Sequence, residues 1–598
     1  MASKKSFYFK DGEGGETVQG ASQEAERVLN YLAGTVRLLA KTLTAGHVVV
    51  KLVLPSCPGF IVRYDFLKLR MVGCPWVHSV KYFVTPQQHL GVPDLNTAET
   101  PDFLEALRAV AGAIVVHPSH ADNFGTVMQR LDNELAERLS FLWTLPSPLT
   151  QNRLVIVGHR HPAVMAGYLA SAYALGIRVT LVDAEGDFLP LEKRSGAVEQ
   201  CIPIDMTKDG LLSMRIVDAL SSSGPYHGIV TFTDIWMIHT AKAAKILGLY
   251  TLPLDLVKRC LDKHATRLLC QGPSQPLRAK SVADLQKHLK TPGTNLEYPL
   301  IVKPCTAWGS QGVYKATTEA ELFDAVSRAS RSAKDADLLI DTYVDGPEVD
   351  ANFVLQDGNI LFFEMVDGFP CTAEMPNLGK PGDFLETDQL WPSNHPQKEK
   401  DIVRDTLHAL MLQMGIRDGV FHVEARIRNS AVHYVAQDGF VDLRPRDAPL
   451  SGEPSVFLLE INQRPPGHGG TWGTALSYGL DYPALHMLCA LGERERYRAL
   501  SQPFASGAVQ WVNSVFINAE AGGIYEGGDV CQELRDTRPD LMEYVQYCNC
   551  YYEKGEAVTD SPARIALFVV ASPTGRQKVL QIAQEVRDAV EVKMRYKM

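Results

Sequence analysis

Three polar side chains alternate along an otherwise apolar segment of this chain. Glu460, Asn462 and Arg464 lie within residues 457–467, which read FLLEINQRPPG. Successive side chains of a β-strand point to opposite faces, so a strand here places all three on one face. Two oxygen ligands beside a cation suit a divalent metal that holds a phosphate, with the arginine free to bind a second anion. For this segment alone, an edge strand with a polar outer face is an equally good interpretation.

A second alternating segment lies upstream, where residues 419–427 read GVFHVEARI. His422, Glu424 and Arg426 are predicted to share one strand face, opposite an apolar face. If this strand pairs antiparallel with the first, Glu424 lies next to Glu460. Two carboxylates at that distance require a cation between them, or one of them must bind a proton. Mg²⁺ with ATP is the natural candidate, because hard oxygen ligands and substrate phosphates form its usual coordination shell.

A lysine followed by a glycine-rich loop appears earlier in the chain. The apolar run YPLIVKP, residues 298–304, contains Lys303 and leads into a loop with Gly309 and Gly312. Glycines allow backbone N–H groups to approach a phosphate closely. The loop has neither the Gly-Lys-Ser/Thr of a Walker loop nor a Gly-x-Gly-x-x-Gly fingerprint, so taken singly it is weak evidence for phosphate binding.

In chain order, five segments resemble the motifs of the ATP-grasp superfamily, and specifically those of its carboxylate–amine ligases. They read RCLDKHATR (259–267), YPLIVKP followed by GSQGV, LIDTYVDGPEVD (339–350), GVFHVEARI and LLEINQRPPG. The resemblance covers roughly residues 151–500 and is greatest to carnosine synthases and bacterial L-amino-acid ligases.

The resemblance implies a role for individual residues of these motifs. The expected ATP-binding residues are Lys263, Lys303, Gly309, Ser310, Gln311, Gly312, Asp341, Tyr343, Val344 and Glu348. The expected metal ligands are Glu424, Glu460 and Asn462. The expected catalytic residues are Arg464, Lys303 and Arg426, and the expected substrate-binding residues are His422, Arg464, Gly467 and His468. Gln463 departs from the family, which usually has proline there, but its side chain should point to the opposite strand face.

Several of these residues also have a purely structural interpretation. Lys263 fits a solvated helix face, and His422 fits a satisfied core histidine about as well as a substrate contact. Glu348 and Asp350 fit charges that discourage aggregation of a strand edge. The presence of all the motifs in the right order favours the functional interpretation.

The function implied by the resemblance is that of an ATP-dependent carboxylate–amine ligase. ATP would phosphorylate a carboxylate to an acyl phosphate, and an amine would then displace the phosphate to form an amide, such as a dipeptide. The implied cofactors are ATP and Mg²⁺, with Mn²⁺ able to substitute. Two alternatives stay open at this point: another ATP-grasp ligase of the biotin-carboxylase or purine-pathway type, and a non-catalytic ATP-binding regulatory protein.

Composition limits the partners and the location. The chain is 45% hydrophobic and 21% charged, as in ordinary globular proteins, and its net charge of −10 argues against nucleic acid or an anionic membrane as a partner. No apolar run approaches the ~20 residues that cross a bilayer. Eleven cysteines without a Cys-x-x-Cys pair fit a reducing compartment. We therefore expect a cytoplasmic enzyme that acts on small carboxylates and amines, with a homodimer as one open possibility.

Five domains are expected along the chain. They are an N-terminal α/β domain (1–150), a Rossmann-like pre-ATP-grasp domain (151–258), the small and large ATP-grasp subdomains (259–343 and 344–500) and a C-terminal α+β domain (501–598). The predicted fold class is therefore α/β and α+β multidomain, with an ATP-grasp fold between additional N-terminal and C-terminal domains.

Two local predictions concern the first half of the chain. Residues 103–113 have the pattern of a helix. Residues 154–158, LVIVG, read as a strand whose following turn lacks the glycines of a dinucleotide site. His159 and Arg160 follow the carboxyl end of this strand, where α/β folds bind ligands, and they suit an anionic substrate group.

Overall fold

The structure is a computed structural model that describes residues 22–40, 48–93, 103–116, 124–186, 196–270, 275–291, 296–307, 309–333, 336–374, 384–448, 450–558 and 563–596. Within these residues the chain has the predicted multidomain α/β and α+β architecture, built on several separate sheets. Across the same ranges, none of the helices is both long enough and apolar enough to span a bilayer.

Two small antiparallel sheets form the N-terminal part. Its elements are α1 (Gln23–Ala40), β1 (Val50–Val53), β2 (Gly59–Ile61), α2 (Phe66–Met71), β3 (Val77–Tyr82), β4 (His89–Leu90), α3 (Phe103–Arg108), β5 (Gly112–Val116), α4 (Phe124–Arg138) and β6 (Thr144–Leu145). The strand orders are β1-β5-β3 and β4-β2-β6.

The helix predicted over residues 103–113 is wrong at its C-terminal end. Helix α3 ends at Arg108, and Gly112–Val116 forms the central strand of its sheet. All five residues of this strand are buried. A short, continuous apolar run fits a fully buried strand as well as a buried helix, so periodicity alone cannot distinguish the two.

A parallel four-stranded sheet follows, as expected for a Rossmann-like domain. Its elements are β7 (Arg153–Val157), α5 (Pro162–Leu175), β8 (Arg178–Asp183), β9 (Val198–Pro203), α6 (Leu212–Ser221), β10 (Gly228–Val230) and α7 (Asp234–Leu247), with strand order β10-β7-β8-β9. Since β7 and β10 are parallel neighbours, the residues that follow them lie together at one edge. There the Nη1 group of Arg160 donates a hydrogen bond to the carbonyl oxygen of Phe232 at 3.2 Å.

The segment expected to form the small ATP-grasp subdomain is an antiparallel sheet covered by helices. Its elements are α8 (Leu254–Leu261), α9 (Lys263–Arg267), β11 (Leu277–Ala279), α10 (Val282–Leu289), β12 (Leu300–Pro304), β13 (Tyr314–Ala316), α11 (Glu319–Ser332) and β14 (Leu338–Thr342), with strand order β11-β14-β12-β13. The Asp262 carboxylate caps α9 by accepting hydrogen bonds from the N–H groups of His264 and Ala265, both at 3.0 Å. This cap fixes Lys263 as the first residue of the helix.

The largest sheet has eight strands and contains both alternating motifs. Its strand order is β21-β18-β15-β16-β17-β22-β25-β24. The elements of this region are β15 (Glu348–Gln356), β16 (Asn359–Gly368), β17 (Asp388–Trp391), α12 (Gln397–Met414), β18 (Gly419–Arg428), β19 (Val432–Gln437), β20 (Phe440–Pro445), β21 (Ser455–Asn462), α13 (His468–Tyr478), α14 (Tyr482–Ala490), α15 (Arg494–Leu500), β22 (Trp511–Ala519), β23 (Gly523–Tyr525), α16 (Val530–Thr537), α17 (Pro539–Met542), β24 (Val545–Cys550), β25 (Ala563–Ser572), α18 (Arg576–Ala589) and β26 (Met594–Tyr596).

This sheet corrects the domain boundary expected at residue 501. The segment 501–598 has the predicted mixture of helices and strands, but β22 pairs antiparallel with β17 of the large subdomain. Strands β25 and β24 then extend the same sheet. Without this pairing β17 would expose an unsatisfied sheet edge, and β22, β25 and β24 continue the large sheet across the expected boundary.

Buried arginines attach the N-terminal part to the rest of the protein. Arg63 forms an ion pair with Asp481, at the start of α14, and the two side chains are only 5% and 11% exposed. Arg496, from α15, donates hydrogen bonds to the carbonyl oxygens of Val62 (2.8 Å) and Leu175 (2.6 Å). These contacts hold the N-terminal and Rossmann-like parts against the helices that follow the strand β21.

We predict that Asp481→Asn destabilises the protein by roughly 2–4 kcal/mol, because it leaves a buried arginine with a single carboxylate partner. Urea denaturation followed by tryptophan fluorescence measures this change. The matched control is Asp357→Asn, which removes the partner of Arg494 in an ion pair whose side chains are 51% and 58% exposed. The control should leave stability nearly unchanged, since exposed ion pairs contribute little. Equal losses in the two variants would contradict a docking role for Asp481.

Candidate active site

Three neighbouring strands carry a row of carboxylates across the large sheet. In the register of β18, Glu424 lies opposite Glu460 of β21 on one side and opposite Asp350 of β15 on the other. The predicted antiparallel pairing of the two motif strands is therefore observed. Asp350 is a third carboxylate of the row, which the sequence analysis had interpreted as a strand-edge charge.

The carboxylates of this row do not all ionise easily. Burial, together with the neighbouring acids, raises the pKa of Glu424 and of Asp350 well above the usual range. Burial also disfavours charge on Glu460, but its ion pair with Lys263 outweighs that effect and holds the pKa of Glu460 well below the usual range. The row thus has more acidic groups than cations, and a further cation would stabilise its charged form.

The predicted metal ligands fit a hard divalent cation with an incomplete protein shell. Asn462 donates a hydrogen bond from Nδ2 to Oε1 of Glu460 at 3.0 Å, which holds the amide beside the carboxylate row. In the described part of the chain, no group of three or more His, Cys, Asp or Glu side chains is arranged as a complete metal site. Two carboxylates and an amide oxygen therefore suit Mg²⁺, which usually takes its other ligands from water and substrate phosphates.

Two lysines of the small subdomain face these carboxylates. Lys263 contacts Glu460 and also donates a hydrogen bond to the carbonyl oxygen of Ala307 at 2.8 Å. Lys303, on β12, forms no ion pair with any residue that the structure describes. Burial lowers the pKa of Lys303, and the charge of nearby Lys263 lowers it further. A buried cation without a counter-ion is a strong attractor for an anion.

The glycine-rich loop after β12 adopts a backbone conformation that the sequence explains. Gly309, Ser310 and Gly312 have φ angles of +62°, +54° and +73°. At Gly312 a Cβ atom would lie 2.9 Å from Oγ of Ser332, so glycine is required there by space as well as by conformation. Three loop residues, Gly309, Ser310 and Gln311, line the same cavity as the two lysines.

This cavity has a volume of about 500 Å³ and lies between the small subdomain, the large sheet and the Rossmann-like part. It brings together most of the residues predicted to bind ATP, metal or substrate. The predicted residues on its wall are Lys263, Lys303, Gly309, Ser310, Gln311, Asp341, Tyr343, Val344, Glu348, His422, Glu424, Arg426, Glu460, Arg464 and Gly467.

Comparison with known proteins establishes the family. The model of the ATP-grasp N-terminal domain matches residues 169–251, and that of the ATP-grasp domain matches residues 296–439. The ATP-grasp enzyme fsqD of Aspergillus fumigatus is 32% identical over 582 residues, which span 92% of this chain and 99% of that protein. The chain belongs to the ATP-grasp family.

Solved ATP-grasp structures share the fold. An L-amino acid ligase from Bacillus licheniformis superposes with a TM-score of 0.56 at 20% identity, over 75% of this chain and all of that one. The biotin carboxylase domain of a 2-oxoglutarate carboxylase from Hydrogenobacter thermophilus superposes with a TM-score of 0.52 at 16% identity, over 75% of this chain and 92% of that one. At these identities the comparison establishes the shared fold and nothing about the substrate.

On the nucleotide side of this ATP-grasp site, one predicted residue has a structural contact. Asp341 forms a buried ion pair with Arg267, with 2.6 Å between its Oδ2 and Nε of the arginine. Tyr343 and Val344 follow it at the end of β14, on the cavity wall. The hydroxyl of Tyr343 donates a hydrogen bond to Glu374 at 2.9 Å. The backbone here is therefore held by side chains on both sides of the strand end.

Arg426 and Glu348 are partners in the structure. Nη2 of Arg426 lies 2.8 Å from Oε2 of Glu348, and its Nη1 group contacts Glu374 and the carbonyl oxygen of Val344. Burial raises the pKa of Glu348, and Arg426 opposes that rise. Arg426, a predicted catalytic residue, and Glu348, a predicted ATP-binding residue, thus form one ion pair on the cavity wall.

Arg464 is held by an acid that lies outside the motifs of the sequence analysis. Its Nε group donates to Asp234 at 2.9 Å and its Nη2 group at 2.6 Å. Asp234 is the first residue of α7, in the Rossmann-like part. This two-point contact orients the guanidinium plane, while Arg464 still lines the cavity.

His422 belongs to a second, more deeply buried polar row. Its Nδ1 atom lies 2.9 Å from Oδ1 of Asn352, whose Nδ2 group donates to Glu364 at 2.9 Å. Its Nε2 atom lies 3.3 Å from Glu424. Burial lowers the pKa of His422 to about 4, so the ring is neutral at ordinary pH. A neutral ring that donates from Nδ1 presents Nε2 to Glu424 as an acceptor, which agrees with the raised pKa of that acid.

Gly467 and His468 separate in the structure. Gly467 lines the cavity just before α13. Both ring nitrogens of His468 contact other side chains: Nδ1 lies 3.2 Å from the hydroxyl of Tyr551, and Nε2 accepts a hydrogen bond from Trp472 at 3.2 Å. His468 is not among the described residues that line the cavity, and its contact with a substrate stays a prediction.

Cavity residues that the sequence analysis did not assign to the site lie on strands it had identified or on segments far away in sequence. Asp350 alternates with Glu348, so the period-two rule that found Glu424 also applies to it. Glu386 and Arg564 come from segments without a motif, and they form an ion pair at 2.7 Å on the cavity wall. No local pattern marks that pair, because the two residues are 178 positions apart.

Glu364 beneath the site should make stability depend on pH. Burial raises its pKa from 4.5 to about 7, although Thr474, Asn352 and Tyr482 donate hydrogen bonds to it. The folded state thus holds this proton more tightly than the unfolded chain does. The free energy of unfolding is therefore predicted to fall by up to roughly 3 kcal/mol as pH rises from below 4.5 to above 7.

Thermal melts of wild type and Glu364→Gln between pH 5 and pH 8 check this prediction. The glutamine cannot ionise, so wild type should lose stability relative to the variant as pH rises. Glu453→Gln, at a side chain that is 83% exposed, serves as the control and should follow wild type. A constant difference between wild type and Glu364→Gln across this pH range would contradict the prediction.

Proposed function

We propose that this ATP-grasp protein is an ATP-dependent carboxylate–amine ligase that forms an amide through an acyl phosphate. The observation that carries the proposal is the convergence of two lysines, the carboxylate row and Arg464 on one cavity. The two substrates, the acid and the amine, are proposed to be amino acids or close relatives. The resemblance of the five sequence motifs, which is greatest to carnosine synthases and bacterial L-amino-acid ligases, supports this choice.

The phosphates of ATP are proposed to bind at the end of the cavity that Lys303 and the glycine loop form. Lys303 has no counter-ion among the described residues, and the loop offers backbone N–H groups with the left-handed conformations that such a cradle needs. Mg²⁺ bound by Glu424, Glu460 and Asn462 would supply Lewis-acid neutralisation of the phosphate charge. Lys263 would then exchange its contact with Glu460 for one with a phosphate oxygen.

Arg464 is proposed to bind the carboxylate that becomes phosphorylated. It follows the end of β21, where its Nη2 group lies 3.4 Å from Oδ1 of Asn462, and Asp234 orients its guanidinium group. A planar, oriented guanidinium stabilises the negative charge that is shared by the transferring phosphoryl group and the attacking carboxylate. Enclosure of the cavity by the glycine loop would protect the acyl phosphate from water until the amine attacks.

The nucleotide product tests this proposal. A ligase that uses an acyl phosphate releases ADP and orthophosphate, whereas an adenylating ligase releases AMP and pyrophosphate. We expect ADP in stoichiometric amount with a new amide, when the protein is incubated with ATP, Mg²⁺ and an amino-acid mixture and the products are separated by liquid chromatography and mass spectrometry.

Glu460→Gln serves as the inactive comparison in that experiment. It removes the carboxylate shared by Lys263 and the proposed metal, and should abolish phosphate release while leaving the fold intact by circular dichroism. Stoichiometric AMP would refute the acyl phosphate, and an absence of turnover despite tight ATP binding would favour the regulatory alternative. Wild-type turnover by Glu460→Gln would exclude the two-strand metal site.

Arg464→Lys should separate nucleotide binding from ligation. A lysine keeps the charge beside Asp234 but cannot bind an oxyanion with a planar, two-point contact. We expect a loss of about 10²–10³-fold in kcat, as for other transition-state donors. ATP affinity, measured by calorimetry, should change little, since it depends on Lys303 and the nucleotide end of the cavity. A collapse of ATP affinity with normal residual turnover would contradict the role assigned to Arg464.

A further inference from the structure

Arg160 brings an unpaired positive charge to the cavity from outside the ATP-grasp motifs. It follows the carboxyl end of β7, is half-buried and lines the cavity. Its one hydrogen bond to protein is that from Nη1 to the carbonyl oxygen of Phe232, at 3.2 Å, among the residues that the structure describes. The other N–H groups of this guanidinium therefore remain available as hydrogen-bond donors.

The other cationic side chains of the cavity wall are almost all compensated. Within the described ranges, the ion pairs are Lys263–Glu460, Arg267–Asp341, Arg426–Glu348, Arg464–Asp234 and Arg564–Glu386. Lys303 and Arg160 form no ion pair with a described residue. After burial, the charges of Lys263 and Glu460 have the largest effect on the pKa of Lys303. Lys303 therefore belongs to the end of the cavity where the phosphates of ATP are proposed to bind, and that proposal accounts for its charge.

Arg160 lies in different surroundings. The positive charge of Arg160 lowers the pKa of three neighbouring side chains, Tyr168, His468 and Tyr551. Arg464 has the same effect on Tyr168, and Arg564 has it on His468 and Tyr551. Burial lowers the pKa of His468 to about 3 and raises that of Tyr551 to about 12. None of these side chains carries a negative charge near neutral pH. An arginine with spare donors among uncharged aromatic side chains is stabilised when an anion binds.

We propose that Arg160 binds a carboxylate of the substrates that is not the one being activated. The inference rests on the proposed ligase function and adds a substrate class to it. Arg464 serves the carboxylate that reacts, and Arg160 holds a second one that remains free in the product. This second carboxylate belongs either to the amine substrate, which is then an amino acid, or to a dicarboxylic acid substrate. In both cases the planar fork of the arginine matches the two carboxylate oxygens.

The experiment compares wild type with Arg160→Gln and Arg160→Lys. The matched control is Arg178→Gln, at an exposed arginine that begins strand β8 of the same sheet, at the opposite end from the cavity. ADP formation is measured with two sets of probes. One set pairs L-amino acids with their α-amides as amines, and the other pairs L-aspartate and L-glutamate with L-asparagine and L-glutamine as acids.

For the probe with the free carboxylate, Arg160→Gln should raise KM by about 10- to 100-fold, the effect of losing a charged hydrogen bond. KM for the amidated probe and the Kd for ATP should stay within about twofold, and Arg160→Lys should recover part of the loss. If KM rises only for the L-amino acids used as amines, the amine substrate carries the carboxylate that Arg160 binds. If KM rises only for L-aspartate and L-glutamate used as acids, the acid substrate carries that carboxylate. Equal KM values in wild type and Arg160→Gln for every carboxylate probe would overturn the inference.

A binding measurement distinguishes failure of this inference from failure of the proposed function. The shift in Tm caused by each probe is recorded in the presence of ADP and Mg²⁺, which requires no turnover. Each carboxylate probe should raise the Tm of wild type and Arg178→Gln more than its amide does, and this difference should be lost in Arg160→Gln. If that pattern appears without any ADP formation from ATP, the ligase function fails while the anion site stands. If no carboxylate stabilises wild type more than its amide does, Arg160 has no such role.

Discussion

The ion pair between Lys263 and Glu460 connects the small subdomain to the large sheet across the cavity. It neutralises one carboxylate of a buried row whose other members, Glu424 and Asp350, resist ionisation. The contact between Arg464 and Asp234 links the same sheet to the Rossmann-like part. Ion pairs thus join each wall of the cavity to the next. The basic members of these pairs can also bind a phosphate or a carboxylate, and the acidic members can also bind a divalent cation. Cohesion of the walls and ligand binding therefore use the same side chains.

Strand periodicity predicted the centre of this site because the chemistry there follows a local rule. Alternation placed Glu424 and Glu460 on matching faces, and their pairing was then a matter of register. The same rule puts Asp350 on one face with Glu348, but its place beside Glu424 follows only from a third strand on the other side of β18. Asp234 is 230 residues from Arg464 along the chain, and contacts of that kind have no local signature. His468 follows the motif directly, yet helix α13 turns it toward Trp472 and Tyr551.

The larger errors arose where a correct local pattern was compatible with two environments. Residues 112–116 are apolar throughout, and only their position between β1 and β3 makes them a strand. The sequence predicted a mixture of helices and strands over residues 501–598, but that pattern does not say which sheet β22 and β25 join. The open edge of β17 decides that question, and the edge exists only in the assembled sheet. Local propensity therefore determined the elements, and long-range pairing determined the domains.

The late position of Arg564 in the chain has a consequence for biosynthesis. Arg564 lies on β25, the penultimate strand of the eight-stranded sheet in spatial order, and it reaches the cavity wall to pair with Glu386. The lysines, the glycine loop and the carboxylate row all leave the ribosome before it. A nascent chain can thus assemble the nucleotide end of the cavity while the far wall is still missing. The pocket is therefore complete only after β25 has been synthesised and has paired with β22.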